Sequence, residues 1–194
     1  MDATDSEVIL RVRRGDGDAF AVVVERHARS LYRLAYRIVG SAERAEDVVQ
    51  EALLRAYRAL DRFDERLELA PWLHRIAANV AIDELRRSRR EAPFGAEDSA
   101  GTWRELEPES PEPGPERRLT AAEAGRATER ALAGLSADER AAFVLRHVEG
   151  RTIAEISRLL GKRDNATKQS IFRAVRKLRR ALAVWTEVRS EELA

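Results

Sequence analysis

The sequence predicts an all-α protein with two small helical domains, joined by a flexible, acidic, proline-rich linker. Apolar residues recur at helical spacing through most of the 194 residues, and no segment alternates convincingly with the two-residue period of a strand. The stretch 91–118 breaks this pattern, because it holds five of the six prolines and eight acidic against three basic residues. Such a composition is typical of an extended linker. We therefore expect domains at 1–90 and 119–194.

Start and stop signals predict two helices at the beginning of the first domain. Thr4 or Asp5 can cap a short helix that stops at Gly15. Asp18 can cap a longer second helix, which Gly40 ends.

The third and fourth helices carry contrasting charges. The third begins at Ser41. Its residues Asp47, Gln50 and Glu51 share one face, because they are three and four positions apart. The fourth begins at Pro71, whose missing N–H is not needed in a first turn, and it ends in the arginines Arg86, Arg87, Arg89 and Arg90. Taken alone, the polar face of the third helix can be a solvated surface, and the arginines at the end of the fourth can be explained by the helix dipole. A protein-binding face beside a nucleic-acid-binding face would explain both together.

A loop over Asp61–Ala70 is predicted between these helices, and an aromatic residue lies near each end of it. Phe63 and Trp72 can be core residues, or they can be stacking surfaces for single-stranded nucleic acid beside the basic helix. The core interpretation is preferred for Trp72, and both stay open for Phe63.

The second domain is predicted to be helical and to end in a helix-turn-helix. Three Ser/Thr-x-x-Glu capping boxes mark helix starts at Thr120, Ser136 and Thr152. A helix over 153–160 meets Gly161 and a short turn. Asn165 can cap the last helix, which is expected to run to about Trp185.

The last helix carries a strongly basic face. Between Lys162 and Arg180 there are eight basic residues and one acid. Helical spacing directs one set of residues to the core: Ile171, Val175, Leu178, Leu182 and Trp185. It directs another set outward: Lys168, Gln169, Phe172, Arg173 and Arg176. A solvated helix of a bundle would explain the charge alone, but the capped helix and turn glycine before it favour binding in a DNA major groove.

Several classes of function are excluded or unsupported. Without cysteine there can be no disulfide or thiolate metal site, and His27, His74 and His147 match no metal-ligand spacing. No catalytic set is present. The N-terminus lacks a signal-peptide core, and no apolar run approaches the roughly 20 residues that span a bilayer. We expect a soluble, cytoplasmic protein that is not an enzyme and that binds no cofactor or metal.

The chain resembles a bacterial RNA polymerase sigma factor of the extracytoplasmic function (ECF) group of the sigma-70 family. The resemblance covers nearly the whole chain. It rests on four segments and on their order around an acidic linker: DAFAVVVERHARSLYRLAYRIVG, AEDVVQEALLRAYRAL, PWLHRIAANVAIDELRRSRR, and LSADERAAFVLRHVEGRTIAEISRLLG followed by the basic helix. It implies a promoter-specificity subunit of RNA polymerase with no membrane insertion.

The resemblance implies separate roles for the two helices of the first domain. Asp47, Gln50 and Glu51 would dock on the clamp helices of the polymerase β′ subunit. The loop and the fourth helix would open the −10 element and flip one base into a pocket. The residues implied for this −10 contact are Phe63, Asp64, Trp72, Arg75, Asn79, Asp83, Arg86, Arg87 and Arg90.

The resemblance implies that the second domain reads the −35 element as duplex DNA. The implied contacts are Thr152, Lys168, Gln169, Phe172, Arg173 and Arg176. The polymerase β flap and an anti-sigma factor are further implied partners. The linker would run towards the RNA exit path of the polymerase, where its negative charge could mimic nucleic acid.

The turn of the helix-turn-helix departs from the family pattern. Similar proteins usually carry an apolar residue after the turn glycine and a valine at the junction with the last helix, where this chain has Lys162 and Thr167. The usual basic residue near Ser170 is also absent. We therefore expect a repacked turn. The alternative function is a stand-alone helix-turn-helix regulator, which leaves the segment from Asn79 to Arg90 unexplained.

Overall fold

The computed structural model describes the backbone of residues 4–64, 66–91 and 115–183, and the side chains of 4–64, 66–90 and 123–183. Within these ranges there are eight α-helices and two short 3-10 turns, and no strand. The predicted all-α fold is therefore confirmed. The chain divides into two compact units, one ending at Arg87 and the other starting at Ser88. Most of the predicted linker, 92–114, lies outside the described residues.

The first unit is built on four helices that bury one apolar face each. They are α1 (Asp5–Arg13), α2 (Phe20–Val39), α3 (Ala42–Ala59) and α4 (Leu69–Glu91), whose last four residues lie beyond the end of the unit. The predicted caps Thr4 and Ser41 are confirmed, since each side chain accepts a backbone N–H of the first turn. Gly40 ends α2 with φ +79°, a left-handed conformation that favours glycine. Leu31, Leu73 and other large aliphatic side chains fill the core.

The start of α2 differs from the prediction. Asp18 is not the cap: it lies inside a 3-10 turn, Gly17–Ala19, and α2 begins at Phe20. Asp16 caps that turn instead, as its Oδ1 accepts the Ala19 N–H at 3.2 Å. Arg11 donates two hydrogen bonds to the other oxygen of Asp16, at 2.9 and 2.7 Å, and so holds the carboxylate in place.

The second unit contains α5 (Pro115–Ala133), α6 (Ala137–His147), α7 (Ile153–Leu160) and α8 (Asp164–Ala181). The capping boxes at Ser136 and Thr152 are confirmed. The predicted start at Thr120 is wrong, because α5 already begins at Pro115, a residue suited to a first helical turn. Residues 115–118 are therefore helical rather than linker. Likewise Asn165 is not the cap of α8, which begins one residue earlier.

The inward face of α8 is rotated relative to the predicted one. Thr167, Ser170, Ala174 and Leu178 are buried, whereas Ile171 and Val175 are only half-buried. The small residues on the buried face allow α8 to approach its neighbours closely. Ala174 and Leu178 form a core cluster with Ala131 and Leu132 of α5 and with Leu135 of the connection that follows it. Trp185, which was expected to face this core, lies outside the described residues.

Candidate polymerase and nucleic-acid interfaces

A polar face of α3 is open to solvent in the first unit. Asp47 and Gln50 are exposed, and Glu51 is half-buried. Glu51 Oε1 accepts a hydrogen bond from Arg55 Nε at 2.6 Å, which offsets part of its charge. Leu54, one turn further along, is 43% exposed. Positions i, i+3, i+4 and i+7 share one side of a helix. This side therefore combines acid and amide groups with an exposed leucine, a mixture suited to a protein interface.

The loop between α3 and α4 is shorter than predicted. Its first residues form a 3-10 turn, Leu60–Arg62, and α4 begins at Leu69, so that 63–68 remain of the predicted Asp61–Ala70. The Arg66 N–H donates to Asp64 Oδ1 at 3.0 Å, and the Leu67 N–H donates to the Asp64 carbonyl at 3.0 Å. Asp64 thereby shapes a tight turn, and Leu67 is left 60% exposed.

Arg13 of α1 holds the beginning of this loop. Its guanidinium donates to the Leu60 carbonyl, with Nη2–O 2.8 Å and Nε–O 3.2 Å, and also to the Phe63 carbonyl. A backbone carbonyl has no residue-type signal, and these acceptors lie 47 and 50 positions away. Sequence reasoning therefore missed Arg13, although it fixes the position of the loop.

The two aromatic residues beside the loop form one packed pair. Phe63 is 5% exposed, and its ring centroid lies 4.9 Å from that of Trp72 with the planes tilted by 52°. Trp72 is half-buried. A ring as buried as that of Phe63 presents little face for stacking on a base, so Phe63 braces the loop from the core. Trp72 stands at the edge of the core with part of its surface accessible.

A stripe of solvent-accessible side chains runs along α4. Its members are spaced by three or four residues, which places them on one side of the helix. Four of them are exposed, Arg75, Asn79, Asp83 and Arg90, and two are half-buried, Trp72 and Arg86. Arg87 lies next to the stripe and forms an ion pair with Glu84 one turn back. The stripe offers guanidinium and amide donors at a repeated spacing of roughly 5 Å, the rise of one helical turn. That arrangement suits contact with the phosphates and bases of one nucleic-acid strand.

The helix-turn-helix of the second unit is formed as predicted. α7 is joined to α8 by a turn whose Gly161 has φ +64°, which strains any other residue type. The Thr152 N–H and hydroxyl donate to Glu155 Oε2 at 2.8 and 2.7 Å. The bond from this N–H is the main reason why the pKa of Glu155 lies below its usual value. Thr152 is exposed, but its hydroxyl is engaged in the cap.

The outward face of α8 carries the predicted reading residues. All five are exposed: Lys168, Gln169, Phe172, Arg173 and Arg176. Phe172 is 61% exposed, and the Arg176 guanidinium carbon lies 6.0 Å from the centre of its ring. Guanidinium and amide groups on one face of a helix that follows such a turn can bond base edges in a major groove. The exposed phenyl ring can contact a thymine methyl group.

The turn is packed through polar contacts at the two positions that depart from the family pattern. Lys162 Nζ lies 2.5 Å from Asp138 Oδ2 of α6. The Ser157 hydroxyl of α7 donates to Thr167 Oγ1 of α8 at 2.9 Å, and both residues are buried. At these two positions the turn is therefore held by an ion pair and a buried hydroxyl pair.

A second ion pair connects α6 with α8. Glu139 Oε2 accepts from Lys177 Nζ at 2.6 Å and from the Ser136 N–H at 2.9 Å. Burial opposes ionisation of the Glu139 carboxyl, but the hydrogen bonds from Lys177 and Ser136 outweigh it, so that the pKa of Glu139 lies below its usual value. Sequence reasoning found Glu139 only as a capping residue, since the contact with Lys177 spans 38 positions.

Comparison with known proteins identifies both units. Residues 23–91, which include α3, the loop and α4, match the family model of Sigma-70 region 2. Residues 125–178, which include the helix-turn-helix, match that of Sigma-70, region 4. The ECF RNA polymerase sigma factor SigW of Bacillus subtilis is 31% identical over 184 residues, covering 94% of this chain and 98% of SigW. The chain belongs to the ECF sigma factors. It is a promoter-specificity subunit of RNA polymerase.

Other relatives and solved structures agree with this family. The ECF RNA polymerase sigma-E factor of Escherichia coli K12 is 33% identical over 179 residues, covering 88% of this chain and 90% of the relative. The structure of CnrH in complex with the cytosolic domain of CnrY is 26% identical, with a TM-score of 0.57, covering 93% of this chain and 97% of CnrH. RpoE of Bartonella quintana, solved in complex with the anti-sigma factor NepR, shares the fold with a TM-score of 0.59. It is 24% identical, and the match covers 85% of this chain and 97% of RpoE.

Two absences concern the described ranges of the chain. None of their helices is long and apolar enough to cross a membrane. Over the same part of the chain, no group of three or more histidine, cysteine or acidic side chains could hold a metal ion.

Proposed function

We propose that this ECF sigma factor divides its work between faces of three helices: α3 docks on core polymerase, α4 opens the −10 element, and α8 reads the −35 duplex. The observation that carries the proposal is the α4 stripe with the exposed Asn79 and the half-buried Arg86, most of which lies in the same unit as the polar α3 face. A stand-alone regulator would not require a protein-docking face on α3 and a strand-binding stripe on α4 together. Two domains joined by an acidic linker are part of the proposal, with the second domain starting at Pro115, where α5 begins, rather than at 119.

The docking step assigns Asp47, Gln50 and Glu51 to the clamp helices of the polymerase β′ subunit. Asp47 and Gln50 are exposed, which supports a direct contact. Leu54 adds apolar surface beside them. A docking face of this kind gains affinity from the apolar contact and orientation from the charged one. The β flap would contact the second unit.

The opening step assigns the α4 stripe to the unpaired strand. Arg75 and Asn79 would bond the strand, Asp83 would accept from base or sugar donors, and the arginines at the end of α4 would bind phosphates. One base would be extruded into the loop 63–68, where Asp64 and the exposed Leu67 are candidates to contact it. Trp72 and the buried Phe63 would brace that pocket from behind.

The reading step assigns the −35 element to α8. Lys168 and Arg176 would bind phosphates, and Gln169 and Arg173 would bond base edges. Thr152 at the start of α7 would support a phosphate contact, because a helix N-terminus favours anions. An anti-sigma factor, as found with the related structures, is a proposed further partner. The protein would act in the cytoplasm with polymerase and would catalyse no reaction of its own.

Run-off transcription with core polymerase over a pool of promoter fragments tests the proposal. We expect the purified chain to bind core polymerase and to direct initiation from a definable set of promoters. Tight binding to duplex DNA without any effect of core polymerase would instead favour a stand-alone regulator.

Matched variants test the division of labour. Asp47→Ala should weaken assembly with core polymerase and leave the −35 preference of the remaining complexes unchanged. Arg173→Ala should weaken −35 recognition and leave assembly unchanged. Glu46→Ala, which removes an exposed carboxylate of α3 outside the assigned set, is the control for general effects on α3. Equal losses of assembly and −35 preference in the Asp47 variant would contradict the assignment.

A further inference from the structure

The contact between α7 and α8 contains a buried hydroxyl pair. Ser157 Oγ donates to Thr167 Oγ1 at 2.9 Å, and the two residues are 5% and 0% exposed. Thr167 is the fourth residue of α8, directly before Lys168 and Gln169. The inward face of α8 continues with the small residues Ser170 and Ala174. The pair is therefore a directional contact on an otherwise smooth helix surface.

A hydroxyl pair restricts the arrangement of two helices more than an apolar pair does. The hydrogen bond keeps its strength only over a narrow range of distance and angle, whereas apolar side chains of similar volume pack acceptably over a wider range. The β-branched Thr167 has few side-chain rotamers, so its oxygen has little freedom to follow a moving partner. A buried hydroxyl that loses its partner is costly. The pair therefore favours one rotation of α8 on α7.

The rotation of α8 has a large effect at the DNA-facing side. Side-chain atoms on a helix lie about 6 Å from its axis, so a rotation of about 20° moves them by about 2 Å. A hydrogen bond to a base edge tolerates only a few tenths of an ångström. Lys168 and Gln169 follow Thr167 immediately and would move with it.

We propose that Ser157 and Thr167 are positioning residues that set which side chains of α8 reach the bases of the −35 element. The proposal rests on the proposed reading of that element by α8. Neither hydroxyl touches DNA, since both are buried. Their bond fixes the rotation of α8, and the rotation in turn fixes the sequence preference.

The chain offers a rescue variant and a matched control. Thr167→Val removes the hydroxyl and keeps the shape, while Thr167→Ser keeps the hydroxyl. Ser170→Ala is the control, because Ser170 is a buried hydroxyl on the same face of α8 that bonds the Ala166 carbonyl of its own helix at 3.1 Å. The double variant Ser157→Ala, Thr167→Val leaves no unpaired hydroxyl, so it serves if Thr167→Val alone does not fold.

The measurement is run-off transcription by polymerase assembled with each full-length variant, from promoters with the preferred −35 element and with single-base substitutions in it. We expect Thr167→Val and the double variant to lower the ratio of transcript from the preferred promoter to transcript from the substituted promoters by about tenfold. This loss lies within the discrimination between bases that one bidentate contact provides. Thr167→Ser and Ser170→Ala should keep the ratio within about twofold of the original, and affinity for core polymerase should not change.

Two results would overturn the proposal: an unchanged ratio in the folded Thr167→Val or double variant, or an equal loss in Ser170→Ala. The second result would show a general effect of packing. If the original protein itself shows no −35 preference with core polymerase, the proposed reading by α8 fails as well. If it shows a preference that the variants keep, only the positioning role fails.

Discussion

Replacement of Glu139 by alanine tests how the helix-turn-helix is held to the rest of its unit. Glu139 is buried and closes the capping box of α6, and it also pairs with Lys177 of α8 at 2.6 Å. Loss of the capping interaction costs about 1 kcal/mol. The bond to Lys177 contributes about 1 kcal/mol, at the low end for a charged hydrogen bond, because nearly half of the lysine side chain is solvent-exposed. We expect Glu139→Ala to destabilise α6 and α8 by about 2 kcal/mol.

Hydrogen exchange of the full-length protein measures this effect locally. The measurement therefore does not require the two units to unfold together in one transition. A change of about 2 kcal/mol corresponds to roughly 30-fold faster exchange of the α6 and α8 amides. Glu155→Ala is the matched control, because Glu155 closes an equivalent capping box on α7 with a partly exposed carboxylate. It should affect α7 more than α6. Less than about threefold faster exchange in Glu139→Ala, or the same effect on α6 from both variants, would refute the reasoning.

The lowered pKa of Glu139 gives the same prediction a dependence on pH. A carboxyl whose pKa is lower in the folded state contributes stability above its ordinary pKa of about 4.3. That contribution is lost as pH falls through the lowered, folded-state value. The difference in protection between the original protein and Glu139→Ala should therefore be constant near neutral pH and shrink below about pH 4.3. A difference that grows on acidification would contradict the assigned ion pair.

Three further predictions concern other parts of the molecule. Arg13→Ala should free the start of the loop 63–68, speed proteolysis there and reduce promoter opening, as measured by permanganate reactivity, while binding to core polymerase is retained. Gly161→Ala should destabilise the turn by about 1 kcal/mol, because φ is +64° there, and hydrogen exchange in α7 and α8 should become faster. Gly134→Ala is the control, because Gly134 follows α5 and its φ is not positive. Lys168→Ala should lower the salt dependence of promoter binding by about one unit of slope, whereas Lys177→Met should leave that slope unchanged.

Local signals predicted most of the fold. Thr4, Ser41 and Ser136 cap helices as their side chains suggest, and Gly161 ends α7, because capping depends on atoms only a few residues apart. Asp18 failed as a cap because the helical turn starts earlier: Asp16, two residues before it, accepts the Ala19 N–H, and Arg11 holds the Asp16 carboxylate in place. Pattern alone does not decide between two equivalent caps.

The contacts that shape the candidate sites were not predictable from the sequence. Arg13 reaches two backbone carbonyls, which carry no residue-type signal. The predicted inward face of α8 included Ile171 and Val175, which are only half-buried, whereas close packing selected the small Thr167 and Ala174. The basic outward face was nevertheless predicted correctly, because exposure of charged side chains follows from their cost of burial.

Fewer basic residues of α8 and of the turn before it are available to bind DNA phosphates than the sequence suggests. This arginine-rich chain has only three lysines, and all lie between 162 and 177. Lys162 and Lys177 pair with Asp138 and Glu139, two adjacent acids at the start of α6. Of the eight basic residues between 162 and 180, at most six therefore remain for phosphate. The two paired lysines hold α6 against the turn and against α8, so they contribute to the placement of the reading face rather than to its charge. A lysine suits this task because its compact ammonium makes one short contact with a carboxylate.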